Sequence, residues 1–273
     1  TMSGLSKIMG TLGVGFAVFK GLEFVKGGLE KVHELKQATA QVQTVLTSTN
    51  QMAGLSMKQL EESAKSLSAN SKFGRADIFG MQSLLLTFTS VKDKIFNEAQ
   101  PAIMDLATRM GGDLKGASIQ VGKALNDPVQ GMTALRRVGV SFSEEQKTVI
   151  ARLQETGDLA GAQKIILNEL AVEFGGSAKS AFDADPMARF NKTMGGLKMT
   201  FGELAESALV SLMPIFEAFA GALKSTGKGI AEVVQWFQQH AIVAETVKVF
   251  KKYEGKTRQF WNILIRAIDE KLE

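Results

Sequence analysis

Apolar positions along the chain recur at three- and four-residue steps, the spacing that lines one face of an α-helix. Leu159, Ile165, Ile166, Leu170 and Phe174 form one such face, and Trp261, Leu264, Ile265, Ile268 and Leu272 form another within 247–272. Start signals sit in front of the faces. Ser143 followed by Gln146 is a capping-box pattern, and Asp127-Pro128 and Asp185-Pro186 each place a cap residue before a Pro at the first helical position. Stop signals close them: Gly111-Gly112 follows the helix expected over Ile95 to Met110, and Gly175-Gly176 follows Phe174, each where a left-handed residue is cheapest. With only four Pro among many Ala, Leu, Lys, Glu and Gln, the reading is an all-α fold.

Breaker density divides the chain. A compact unit of short helices is expected over 70–185. Residues 1–69 are expected to form a Gly-rich, apolar and amphipathic helical arm, and 186–273 a set of longer amphipathic helices, because 190–240 carries few breakers beyond Pro214 and scattered Gly. No fixed-period repeat is visible, so a solenoid is not expected. Twenty-seven Gly argue against one continuous coiled coil, since each interior Gly costs roughly 1 kcal/mol relative to Ala.

Two apolar stretches raise the question of a membrane. Ile8 to Phe19 is uncharged for twelve residues before Lys20, short of the roughly 20 that span a bilayer, and Ser207 to Phe216 is shorter and interrupted by Pro214. The first stretch puts Gly13, Ala17 and Gly21 at four-residue steps, a stripe of small residues that lets another helix approach closely. Helix packing in a core or oligomer is the favoured use of that stripe, and insertion into a host membrane the alternative.

Charge and composition narrow the chemistry. Thirty-two Lys plus Arg against 28 Asp plus Glu, a net +4 over 273 residues, is too balanced for a nucleic-acid arm, so no specific nucleic-acid partner is expected. The absence of Cys removes disulfides, thiolate zinc sites and cysteine nucleophiles. His33 and His240 are far apart and lack HExxH or HxH spacing, which gives a zinc peptidase little support. No GxSxG elbow is present. The stretch GALKSTGKG (221–229) resembles a phosphate loop but has its first Gly one residue too far away and Gly229 where a Ser or Thr would hold magnesium; it reads as a loop between two helices. No catalytic residue, metal or cofactor is expected. The twelve Met and seventeen Phe read as core, and Lys251, Lys252, Lys256 and Arg258 beside Phe260 and Trp261 as a solvated helix face.

The most distinctive segment runs from Gly122 to Gly176. Its Asn126-Asp127-Pro128 ends one helix and caps the next, Arg136 and Arg137 fall in the last turn where cations oppose the helix dipole, and Gly139 permits the exit. Two adjacent Arg point to different sides of a helix and form no binding patch. The segment's ordered pieces are Leu125-Asn126-Asp127-Pro128, Leu135-Arg136-Arg137-Val138-Gly139-Val140, Phe142, and Gly157-Asp158-Leu159-Ala160-Gly161-Ala162-Gln163. Together they resemble a segment found in the tail length tape measure proteins of long-tailed bacteriophages and prophages, over about a fifth of the chain. The preceding LTSTNQMAGLSMKQLEESAKSLS resembles that family more weakly, by composition.

That resemblance implies a non-enzymatic structural role for a fragment of a longer chain. Proteins of this family line the lumen of the tail tube in several copies, tube subunits polymerise around them, their length sets tail length, and they leave ahead of the DNA. The partners it implies are further copies of the chain, the tail tube protein, tail tip or baseplate proteins and tail assembly chaperones. The implied locations are the virion tail, the host cytoplasm during assembly and the host envelope on ejection. Some members also carry a cell-wall hydrolase or act on the envelope, so a membrane-active helical protein that aids genome passage is the second expectation.

Overall fold

In the computed structural model the backbone is described for residues 2–226 and side chains for 24–207 and Val210. The described residues are all-α, with no strand among them. Helix α1 (Met2–Ser48) leads through a tight turn into α2 (Met57–Ala69), α3 (Arg75–Leu86), α4 (Asp93–Arg109), α5 (Leu114–Asn126), α6 (Pro128–Arg136), α7 (Glu144–Glu155), α8 (Leu159–Phe174), α9 (Ser177–Ala184) and α10 (Pro186–Thr226). At 1.5 Å per residue the 47 residues of α1 and the 41 of α10 reach about 70 and 60 Å, more than twice the length of any helix between them.

Short helices stay short because each boundary is built locally. Ser143 accepts from Gln146 N while the Gln146 side chain accepts from Ser143 N at 2.7 Å, the reciprocal cap read from the sequence. Ser56 and Gln59 make the same pair at the start of α2. Asp185 occupies the whole junction between α9 and α10, and its carboxylate accepts from Met187 N and Ala188 N. After α8 the left-handed residue is the second glycine of the pair: Gly176 has φ +80°, whereas Gly175 stays at −51°. Gly176 is where the chain turns because its N–H, like that of Ala178, must aim at the Asp105 carboxylate of α4, 2.9 and 2.8 Å away.

The chain divides into two units, Thr1–Thr200 and Phe201–Glu273. In the first, α4 packs on α5, α8 and α9, α5 on α3 and α6, and α3 on α1. Phe96, Ile103, Leu106, Leu125, Leu135, Ile150 and Ile166 are fully buried among them. The compact body is wider than the 70–185 expected for it. Val42 and Leu46 of α1, Leu55, and Leu60 and Ala64 of α2 belong to the same core, so the boundary placed at residue 69 falls inside it. The physical reason is that α1 and α2 each carry an apolar stripe that α3 covers, which a count of breakers does not reveal.

Of the second unit, the described part is α10 from Phe201 onward. Its backbone continues as helix across Pro214, so that residue does not interrupt the segment as expected; a proline removes one hydrogen bond without having to end a helix. Residues 221–226 of the phosphate-loop lookalike are also helical, not a loop, since Ala, Leu and Lys there favour helix. Residues 227–229, His240 and the faces expected over 247–272 lie outside the described residues. Among the described residues no helix is long and apolar enough to cross a membrane.

Candidate functional site

The 122–176 segment folds into α6, α7, α8 and the end of α5, and its quoted residues take up positions at helix junctions. Asp127 is shared by two helices: its N–H closes α5 on Lys123 O, and its carboxylate accepts from Gln130 N at the start of α6. Pro128 occupies the first turn of α6, where no donor is needed. Asn126 reaches out of the helix pair, and its side-chain oxygen accepts from Ser90 N at 3.2 Å. Leu125 and Leu135 are fully buried. The turn is held from outside by Gln154 of α7, which donates to the Asp127 carboxylate at 3.1 Å and accepts from Val129 N at the same distance.

The exit from α6 is a paired-bond termination. Val140 N donates to Leu135 O and Gly139 N to Arg136 O, an arrangement that requires the left-handed backbone at Gly139, φ +96°. Gly157, φ +83°, ends α7 the same way, with Asp158 N bonded to Leu153 O. Asp158 then caps α8 by accepting from Gly161 N at 2.9 Å. Arg136 and Arg137 stand exposed at the end of α6, and Val138 packs half-buried against the core. In the first turn of α7 the Glu145 carboxyl is held below its ordinary pKa by hydrogen bonds from the Ser143 hydroxyl and its own backbone N–H.

Three residues in or beside this segment matter more than their sequence context suggests. Gly131 sits where α6 crosses α5: a Cβ there would lie 2.3 Å from Ala124 Cα and 2.6 Å from Lys123 O. Gln163, buried in α8, donates to Ser90 O at 2.9 Å and to Leu125 O at 2.7 Å, tying α8 to the α3–α4 connection and to the end of α5. Asp105 anchors α9, as described above. Gln163 was visible only as one letter of the resemblance, and Gly131 and Asp105 carry no local signal, since their partners are set by packing.

Two shallow clefts flank this body. One is lined by Lys92, Lys94, Leu159, Gln163 and Lys164, the other by Phe73, Asp77, Met81, Leu84 and Lys115. Among the described residues no group of three His, Asp or Glu is placed to hold a metal ion. The geometry of the 122–176 segment is that of a brace: caps, exits and buried amides fix how α5, α6, α7 and α8 meet. Gly13, Ala17 and Gly21 lie on α1, and the surroundings of their side chains fall outside the described residues.

No known family model and no solved structure matches the chain. It is similar to the tape measure protein of Escherichia phage lambda, 29% identical over 160 residues that make up 59% of this chain and 16% of that protein.

Proposed function

We propose that the chain is a segment of a phage tail tape measure protein that acts as a multi-copy scaffold in the lumen of the tail tube during assembly. The similarity to the lambda protein supports a structural role in a phage tail, and it is the observation that carries the reading. The fold accords with it: long helices, which add length at a constant 1.5 Å per residue, flank a braced helical body. In this reading the parent protein contacts further copies of itself, the tube protein and the tail tip, sets tail length, and leaves ahead of the DNA.

The test is quantitative mass spectrometry of purified particles, before and after ejection is triggered. Peptides from this chain should be present in intact virions at several copies per particle and be depleted from the emptied tails. Their absence from intact virions would overturn the proposal.

A further inference from the structure

The first unit begins and ends on helices that lie side by side. Phe24 of α1 receives the Lys198 ammonium of α10 over its ring at 5.7 Å, and the same lysine passes 3.9 Å from where a Cβ on Gly27 would stand. Lys31, later in α1, is near enough to Lys192, earlier in α10, to repel it. The two segments therefore run antiparallel, and between residues 24 and 200 the chain doubles back on itself.

The return segment of α10 is held by a few side-chain contacts. The strongest is Lys192, whose ammonium donates to Ser68 Oγ at 2.7 Å, Phe73 O at 2.6 Å and Ser71 O at 3.3 Å, filling a cup of oxygens where α2 ends and the chain turns into α3. Arg75 adds a contact to Met199 Sδ. On the other side, Met187 and Phe190 of α10 are about half exposed. The lever that would swing is a helix, and its pivot is Asp185, one extended residue between α9 and α10.

We propose that Lys192 is a latch that keeps the start of α10 folded back along α1, and that its withdrawal from the oxygen cup lets α10 swing about Asp185 and turn the doubled-back chain into a through-running one. The inference rests on the geometry of this unit and stands apart from the tape measure reading. It would also give that reading a means by which a folded-back segment becomes an extended one.

The charged groups facing Lys192 are Lys31 on α1 and Arg75 and Asp77 on α3; Lys72, in the same turn as the cup, is instead turned over the Phe73 ring. Burial pushes the Lys192 amine down to about 8, with Asp77 opposing that shift and Lys31 and Arg75 adding to it. With the amine at about 8, Lys192 enters the cup as an ammonium at neutral pH, with three N–H donors for three oxygens.

Because the chain has no Cys, a pair introduced at Lys26 and Thr200 labels α1 and α10 uniquely for spin-label distance measurement on the full chain. The parent pair should show a short-distance population at pH 7. Lys192→Glu should abolish that population while far-UV circular dichroism stays unchanged, and Lys192→Ala should weaken it. A short distance retained in both variants would overturn the latch. So would a loss of helix that parallels the loss of distance in both variants, since Lys192 would then be part of what holds the unit folded.

Discussion

Two glycines inside helices respond in opposite directions to the same added methyl group. At Gly131 the methyl would meet backbone on the neighbouring helix, Ala124 Cα at 2.3 Å and Lys123 O at 2.6 Å, so no side chain can rotate away and α6 must move off α5 by about 1 Å. Overpacking of that kind costs about 1–3 kcal/mol, and backbone contacts this short place it at the upper end. The helix recovers about 1 kcal/mol when Gly becomes Ala. Gly131→Ala should therefore lose about 1–2 kcal/mol net. Gly80, within α3, has nothing within 4 Å of its Cβ position, so Gly80→Ala should gain about 0.5–1 kcal/mol. Urea unfolding followed by circular dichroism reads both. With a slope near 2 kcal/mol/M the Gly131 variant should unfold about 0.5–1 M earlier and the Gly80 variant later than wild type. A Gly131→Ala midpoint at or above wild type would refute the close crossing of α5 and α6.

Other substitutions test the brace. Gln163→Leu strips the donor from two main-chain carbonyls, Ser90 O and Leu125 O, and should cost about 1–3 kcal/mol in the same assay; a neutral result would mean that α8 is not tied through this amide. Asp127→Ala removes the α6 cap and the Gln154 partner and should cost about 1–2 kcal/mol, whereas Asp127→Asn, which keeps an acceptor, should retain most of that stability; equal losses would contradict the capping role.

What could be read from the sequence was whatever is decided within a few residues. Ser143 with Gln146, Asp127 with Pro128 and Asp185 with Pro186 are caps because donor and acceptor lie within three positions, so the pattern contains the geometry. Long-range choices were hidden for the converse reason. Gln163 finds carbonyls 73 and 38 positions away, and Asp105 reaches an N–H 71 positions on, partners that exist only once the helices have packed. Gly131 and Gly80 look alike in sequence, yet only one lies under a neighbouring backbone. The core's reach back to Val42 was missed because the sequence marks where helices stop, and α1 does not stop until after its buried end. Lys192 carries no local signal for the same reason: its acceptors lie about 120 positions upstream.

The proposal that this helical chain contributes length to a phage tail is tested by electron microscopy of tails from in-frame deletions in the parent gene. Removing about 22 residues of α10 after Phe201 takes out about six helical turns and should shorten every tail by about 33 Å, with a proportionate change for longer or shorter deletions. Deletions inside the braced body should impair assembly instead of rescaling the tail, because they remove core contacts. Tails of wild-type length from the α10 deletions would contradict the account.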